Sequence, residues 1–300
     1  MNNYQKMWLD LLGTPSCYEF EKQCNLIKRY SLDDIDLELY VQSNGPGTFQ
    51  RIIMALPKKL TAPAPAVVVP FYFPEAMLGF DPETGEVLEK FSHIAMTADL
   101  ARRGVIAATA EAYHLTYTPK AEQESGFSPW QRSSGALLFN HPEWTGMGKL
   151  VYDTALLTDF LVNDNRVDAQ RVGIAGHSLG GKMAFYNGCL DERLKVILTS
   201  DFGFAWHQSN WEQPWYWGEK LSELKAQKID HISLLSAANG KPFMLLAGHY
   251  DNDESFAMMN QAAGYGSDKS EKLQIINHAT GHRPPDEVLH KGYDFLLKYL

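Results

Sequence analysis

Residues 171–190 of this chain read RVGIAGHSLGGKMAFYNGCL, and this stretch decides the fold prediction. The run RVGIAG is typical of a strand buried on both faces, and residues 179–190 have a helical pattern. Between them, residues 176–180 read GHSLG. A chain that turns sharply from strand to helix leaves no room for side chains beside the turn, which explains the two glycines. The sequence therefore predicts a turn that lifts the Ser178 hydroxyl above the edge of a sheet.

The same turn makes Ser178 a candidate nucleophile. It would place the backbone N–H of Leu179 at the N-terminus of the helix, where partial positive charge can stabilise an oxyanion. Leu179 is therefore a candidate oxyanion-hole donor. A structural glycine-rich turn without chemistry is the alternative that the motif alone leaves open.

Similar apolar runs recur along the chain, at residues 66–71, 105–110, 195–200, 242–248 and 272–276. Unbroken runs of this length are typical of strands in a parallel sheet. Helical patterns lie between them, at residues 93–104, 148–162 and 288–300. Strands that alternate with helices predict an α/β protein with a doubly wound, mostly parallel sheet.

The N-terminal region has a different pattern. Residues 31–41 alternate apolar and polar side chains, a turn sequence follows at 44–47, and a second apolar stretch covers 49–57. This pattern predicts an antiparallel hairpin that leads into the sheet. Two long irregular stretches, 111–147 and 201–240, stand out farther along. We predict one domain over residues 1–300, with the tryptophan-rich stretch 201–240 as a cap.

Composition excludes several classes of protein. The 27 Lys and Arg residues and 36 Asp and Glu residues give a net charge of −9, which argues against contacts with nucleic acid or anionic lipid. Hydrophobic residues at 45% and charged residues at 21% argue against disorder. No apolar run approaches the roughly 20 residues that a membrane span needs, and no signal peptide is visible. The oligomeric state stays open.

The three cysteines bear on compartment and metal binding. Cys17, Cys24 and Cys189 are odd in number and lack metal-ligand spacing, as expected of reduced thiols, so we predict a cytoplasmic location. The segment that starts at Asp251 opens like a calcium-binding loop, but Phe256 and Ala262 occupy the positions of the required glycine and glutamate. We predict neither a metal nor an organic cofactor.

A serine hydroxyl needs a base, and the base needs an orienting acid. After a strand–turn–helix nucleophile, the acid and the histidine are expected later in the chain, in that order. His282 follows the run 272–276, and Asp251 follows the run 242–248. Because the carboxyl ends of parallel strands meet at one edge of a sheet, both side chains can reach Ser178.

Three aspartates compete for the role of the acid. We favour Asp251, which stands three residues after Gly248, a spacing that suits a tight turn beyond the strand. Asp253 lies nearer the start of a helix, where capping explains it, and Asp201 is in a turn-like context that a structural side-chain bond explains. Both remain open as alternatives.

Aromatic residues supply the remaining site candidates. The loop after the run 66–71 should give a second oxyanion donor, and since Pro70 has no N–H, Phe71 or Tyr72 must provide it; we favour Tyr72. We also predict four substrate-contacting residues: Phe71, His177, Trp215 and Trp217. Lys182, one turn into the predicted helix, is expected to be an exposed surface lysine.

Three stretches resemble serine hydrolases of the α/β-hydrolase fold, nearest the dienelactone-hydrolase-like and acetyl-xylan-esterase-like branch. They are TGMGKLVYDTALLTDFLVNDNRVDAQRVGIAGHSLGGKMAF (145–185), PFMLLAGHYDNDESF (242–256) and NHATGHRPP (277–285). The resemblance implies Ser178 as nucleophile, Asp251 as acid and His282 as base. Dienelactone hydrolases proper have cysteine in place of Ser178, which argues against their reaction. The His-Gly that is common after the first parallel strand is replaced here by Pro70-Phe71.

The resemblance implies a serine carboxylic-ester hydrolase that acts through an acyl-enzyme on a small-molecule ester. Short-chain esters are the expected substrates, with acetylated carbohydrates as the preferred class. A peptidase or amidase of the same fold is one alternative. A catalytically silent binding protein is the other, but it predicts the loss of a triad residue, and the candidates are all present.

Overall fold

The computed structural model of the protein describes residues 1–15, 18–60, 63–117 and 127–300. Within these ranges nine strands form one sheet: β1 (Cys24–Ser31), β2 (Ile35–Gly45), β3 (Thr48–Pro57), β4 (Ala64–Val68), β5 (Ile106–Ala110), β6 (Val167–His177), β7 (Leu194–Ser200), β8 (Phe243–Ala247) and β9 (Leu273–Asn277). Their order across the sheet is β1-β2-β3-β5-β4-β6-β7-β8-β9. From β1 to β5 neighbours pair antiparallel, and from β5 to β9 they pair in parallel. The predicted mostly parallel sheet with an N-terminal antiparallel hairpin is confirmed.

The strand order reverses direction between β4 and β6. After β4, the chain forms β5 next to one edge of β4 and then forms β6 next to its other edge. In open α/β sheets, ligands bind beside the carboxyl ends of the strands at such a reversal. The GHSLG turn follows β6, so the topology predicts a binding site at this edge of the sheet.

Helices cover both faces of the sheet. They are α1 (Asn3–Leu12), α2 (Pro74–Leu78), α3 (Met96–Arg102), α4 (Tyr113–Tyr117), α5 (Ser128–Asn140), α6 (Gly146–Val162), α7 (Leu179–Leu190), α8 (Lys220–Ala226), α9 (His231–Ala237), α10 (Asp253–Met259), α11 (Lys269–Lys272) and α12 (Asp286–Lys298). Within β4, Ala66 and Val68 pack in the cluster that contains Leu157 of α6, whereas Val67 packs in the cluster that contains Leu289 of α12. Both faces of the strand are buried, which explains its unbroken apolar sequence.

Several elements at the N-terminus and in the first irregular stretch were not predicted from the sequence. β1 has almost all its side chains exposed, so it carries no alternating apolar signal. α1 is short and buries Trp8 and Leu12 against the rest of the fold. The stretch 111–147 contains α4 and α5, although it was expected to be irregular.

The stretch 201–240 begins with turns and continues as α8 and α9. Its tryptophans are buried among the helices that cover one face of the sheet. Over the described ranges, no helix is both long and apolar enough to cross a membrane.

Candidate active site

Ser178 occupies a sharp turn between β6 and α7. Its backbone has φ 57° and ψ −116°, a conformation that side-chain-bearing residues rarely adopt. A Cβ added to Gly176 would lie 2.1 Å from the carbonyl oxygen of Gly180, and one added to Gly180 would lie 2.2 Å from that of Pro70. Both glycines are therefore required by close backbone approaches, as the sequence predicted.

His282 completes a hydrogen-bonded line from Ser178. It lies in the loop between β9 and α12, and its Nε2 is 2.9 Å from the Ser178 Oγ. On the other side of the ring, Nδ1 is 2.6 Å from the Oδ2 of Asp201. A carboxylate only accepts hydrogen bonds, so Nδ1 carries the proton and Nε2 is free to accept the serine proton. This arrangement suits general-base activation of Ser178.

The prediction that Asp251 orients the histidine is wrong, because Asp201 at the end of β7 holds that position. Asp201 is fully buried, and its Oδ1 accepts hydrogen bonds from the backbone N–H groups of residues 248–251 at 2.8–3.1 Å. Burial opposes ionisation of Asp201. The hydrogen bonds from His282 and from the backbone outweigh burial, and they hold the pKa of Asp201 below its usual value.

Asp251 instead binds the backbone that follows Asp201. Its Oδ2 accepts the N–H groups of Phe202 and Gly203 at 2.8 and 2.9 Å, and its Oδ1 accepts the N–H of Phe204 and the Ser255 hydroxyl. Burial raises the pKa of Asp251 to about 6, although these hydrogen bonds oppose the shift. The two aspartates thus each bind the loop that carries the other.

Asp253, the third candidate, lies at the start of α10. Its carboxylate accepts a hydrogen bond from the side chain of Asn277 at 3.1 Å. The N-cap of α10 is Asn252, whose side chain accepts the N–H of Glu254. Asp253 is therefore part of a local contact between α10 and β9.

A pocket of about 450 Å³ opens beside Ser178. Its walls are mostly aromatic, and its lining residues are Phe71, Tyr72, Phe73, Lys90, Phe91, Ile94, His114, Phe127, Trp130, His177, Ser178, His282 and Arg283. Phe71 and His177 were predicted from the sequence as substrate contacts, and Tyr72 was predicted as an oxyanion donor. His114, Phe127 and Trp130 were missed, although they belong to the irregular stretch 111–147. Rings of His114 and Trp130 stack at 3.8 Å between centroids and form one wall.

Trp215 and Trp217 do not line this pocket, so their prediction as substrate contacts is wrong. Both are buried, with exposed fractions of 2% and 3%. The Trp217 ring packs against Trp8, and its Nε1 donates to the Tyr186 hydroxyl at 3.2 Å. Trp215 lies behind the pocket wall, stacked on Phe127 at 5.2 Å. Burial of large apolar rings explains the tryptophan-rich sequence of 206–217 without any ligand.

For Leu179 and Tyr72, the role of oxyanion-hole donor stays a prediction. Leu179 is the first residue of α7, so its N–H has no partner within the helix. The loop after β4 packs against the same turn, since a Cβ on Gly180 would approach the Phe71 ring at 3.2 Å. The Tyr72 carbonyl accepts the N–H of Ala112, which fixes the peptide that follows Tyr72.

His177 lies beside His282, with 4.5 Å between ring centroids. It is almost fully buried, and its Nδ1 is 3.0 Å from the Ser200 hydroxyl. Burial, and then the charges of His282 and Arg283, lower the pKa of His177 to about 3, so the ring is neutral. His177 thus contributes an uncharged wall next to the base.

Lys182 of α7 is buried, contrary to the expectation of an exposed lysine. Its Nζ donates to Ser209 and Asn210 and lies 4.2 Å from the ring centroids of Trp211 and Tyr216. Burial lowers its pKa to about 7. The side chain connects α7 to the turns that follow β7.

In the part of the chain that the structure describes, no group of three or more His, Cys, Asp or Glu side chains is arranged to hold a metal ion. The described cysteines, Cys24 and Cys189, are free thiols. Cys17 lies outside the described residues.

Comparisons with known proteins agree with this fold. No protein family model matches the chain. A Bacillus subtilis (strain 168) protein named “Putative hydrolase YtaP” is 23% identical over 294 residues, and the alignment covers 93% of this chain and 90% of that protein. Among solved structures, a glucuronoyl esterase from Solibacter usitatus superposes with a TM-score of 0.68 at 13% identity, covering 98% of this chain and 90% of its own. An acetyl xylan esterase from Paenibacillus sp. R4 gives 0.63 at 18% identity, with 100% and 95% coverage.

The chain has the α/β-hydrolase fold. Within that fold, the Ser178 turn follows a central strand and faces the loops that carry His282 and Asp201.

Proposed function

We propose that this protein is a serine carboxylic-ester hydrolase that acts through an acyl-enzyme. The observation that carries the proposal is the line Ser178–His282–Asp201, with 2.9 Å from Oγ to Nε2 and 2.6 Å from Nδ1 to Oδ2. The proposed roles are nucleophile, general base and orienting acid. A catalytically silent protein would have no need to hold these three side chains in one hydrogen-bonded line.

In the first half-reaction, Ser178 Oγ attacks the ester carbonyl carbon while His282 Nε2 takes the hydroxyl proton. Negative charge develops on the carbonyl oxygen, where the N–H groups of Leu179 and Tyr72 would stabilise it. Asp201 stabilises the imidazolium that forms. The tetrahedral intermediate then breaks its bond to the alcohol oxygen, which leaves with the proton from His282.

In the second half-reaction, water takes the place of the alcohol. His282 removes a proton from the water as its oxygen attacks the acyl-enzyme carbonyl, and the same N–H groups bind the new oxyanion. The bond to Ser178 Oγ then breaks, and the proton returns to that oxygen. The carboxylic acid leaves and the enzyme is regenerated. This chemistry uses only side chains and backbone groups of the chain.

We propose short-chain esters as substrates, with acetylated carbohydrates as the preferred class. The aromatic walls of the pocket, including Trp130 and Tyr72, support this class because flat rings pack well against sugar faces. The structural neighbours named glucuronoyl esterase and acetyl xylan esterase support it as well. The partner is thus a small-molecule ester.

A panel of substrates tests the proposal. 4-Nitrophenyl esters from acetate to decanoate, acetylated xylo-oligosaccharides and an aminoacyl nitroanilide are compared on wild-type protein and on Ser178→Ala. We expect the shortest esters to be hydrolysed fastest, and Ser178→Ala to lose this activity while its melting temperature stays near wild type. Turnover of the nitroanilide alone would assign the protein to the peptidases. Esterase activity in Ser178→Ala equal to that of wild type would show that Ser178 is not the nucleophile.

We also propose that the chain works as one domain in the cytoplasm. The free thiols of Cys24, which is exposed, and Cys189 support a reducing compartment. Cell fractionation with an antibody against the protein tests the location.

A further inference from the structure

The pocket beside Ser178 has an unusual charge for this chain. The chain as a whole carries a net charge of −9, yet the permanently charged side chains that line the pocket in the described ranges are Lys90 and Arg283, both cationic. No Asp or Glu of those ranges lines it. The remaining walls are largely aromatic.

Among the described residues, Arg283 has no carboxylate partner, unlike several other arginines. Arg51, Arg166 and Arg193 each form ion pairs with two carboxylates. Arg283 is half-buried and makes no ion pair within the described residues. A guanidinium that is partly desolvated beside a pocket binds a carboxylate well, because its planar N–H groups match both oxygens.

Arg283 also lies close to the reacting groups. It directly follows His282, and its charge is one of the causes that lower the pKa of His177. Lys90 lines the same pocket, and its Nζ lies 5.5 Å from the centroid of the Phe91 ring. A negatively charged group on a bound ester would therefore lie near one cation while its ester carbonyl is at Ser178.

We propose that this pocket selects esters that carry a carboxylate, with Arg283 as the specificity-determining residue and Lys90 in support. The inference rests on the proposed esterase function and narrows its substrate class. The carboxylate can belong to the acyl part or to the alcohol part of the ester, and matched ester pairs distinguish the two. Arg283 binds substrate and does not take part in bond making or breaking.

Matched ester pairs test this selectivity. 4-Acetoxybenzoate is compared with 4-acetoxybenzamide for the alcohol side, and mono-4-nitrophenyl adipate with its terminal amide for the acyl side. We expect wild-type protein to prefer the anionic member of at least one pair. Arg283→Gln should lower the anionic-to-neutral ratio of kcat/KM about tenfold, mainly through KM, because a charged hydrogen bond in the ground state is lost.

Two further variants control for general effects. Arg283→Lys keeps the charge without the planar N–H geometry and should give an intermediate ratio. Lys291→Gln removes an exposed cation of α12 that does not line the pocket, and should leave the ratio at the wild-type value. An anionic-to-neutral ratio that is the same in Arg283→Gln as in wild type would overturn the proposal, as would a wild-type preference for both neutral esters.

A binding measurement separates this proposal from the esterase function. Calorimetry on Ser178→Ala protein compares 4-hydroxybenzoate with 4-hydroxybenzamide, and adds Arg283→Gln in the same background. Tighter binding of the benzoate that disappears with Arg283→Gln supports the cationic subsite even if no ester is turned over. If ester hydrolysis depends on Ser178 but benzoate and benzamide bind with equal affinity, the cationic subsite is wrong and the proposed esterase function still holds.

Discussion

Replacement of Asp201 by Asn should reverse the proton arrangement of His282. The Oδ1 of Asp201 accepts four backbone N–H groups from residues 248–251, and Oδ2 accepts the His282 Nδ1–H. An amide has one oxygen, and it must face the four donors, because its NH₂ group there would meet four N–H groups. The NH₂ then faces Nδ1, which must accept. Nε2 carries the proton and is unable to take one from Ser178, so kcat should fall by up to about 10⁴-fold.

Asp251→Asn should act on stability instead. The amide oxygen can accept the N–H groups of Phe202 and Gly203, but the NH₂ then faces the N–H of Phe204. The Ser255 hydroxyl can rotate to accept, whereas the backbone donor stays unsatisfied. One buried unsatisfied group costs about 1–3 kcal/mol, so the melting temperature should fall by several degrees. The hydrogen-bonded line Ser178–His282–Asp201 stays intact, and kcat should change less than about tenfold.

The two variants are compared by kcat on 4-nitrophenyl acetate and by thermal unfolding. Asp253→Asn is the matched control, because its carboxylate makes only the side-chain bond to Asn277 among the described contacts, and it should be near wild type in both assays. A loss of about 10⁴ in kcat for Asp251→Asn, with Asp201→Asn near wild type, would refute the reasoning.

Three further predictions concern packing and charge. Gly180→Ala places a Cβ 2.2 Å from the Pro70 carbonyl and should lower both kcat and melting temperature, whereas Gly266→Ala, with its nearest contact at 3.8 Å, should be neutral. Trp217→Ala should destabilise the fold by about 3–5 kcal/mol without changing the decanoate-to-acetate ratio of kcat/KM, and Trp130→Ala, in the pocket wall, should change that ratio. Lys182 has a folded-state pKa of about 7 against 10.5 when unfolded, so the unfolded chain binds the extra proton between these values and stability rises with pH. We therefore expect the unfolding free energy, measured with urea between pH 7.5 and 9, to rise less steeply with pH in Lys182→Met than in wild type. The difference between the two pH slopes should be about 1.4 kcal/mol per pH unit. Equal slopes would show that Lys182 stays charged in the folded protein.

The strands of the parallel part of the sheet could be predicted from local sequence. Residues 172–177 of β6 and most of β7 are buried and carry unbroken apolar runs, and Gly176 is explained by its close approach to the Gly180 carbonyl in the same turn. β1 was missed for the opposite reason, since an exposed edge strand has no hydrophobic pattern to detect. Burial on one or two faces thus decides which strands a sequence reveals.

Local sequence did not indicate which aspartate contacts His282, because Asp201 and Asp251 follow neighbouring parallel strands, β7 and β8. Both reach the same edge of the sheet, and both are buried. Their partners differ: His282 and the N–H groups of residues 248–251 bind Asp201, whereas the N–H groups of residues 202–204 bind Asp251. These contacts join segments that are distant in sequence, so local sequence does not indicate them. Trp217 shows a related limit, because composition indicates that rings are buried without indicating whether they face a ligand or other rings.

The exchange of carboxylates between the two loops has a consequence for native-state hydrogen exchange. The amides of residues 202–204 are protected by Asp251, and those of 248–251 by Asp201, so neither loop can open without removing the acceptor of the other. All of these amides should then exchange through one shared opening, with one common free energy. Hydrogen exchange at these two loops would therefore report, without any bound substrate, whether Asp201 is held in place beside His282.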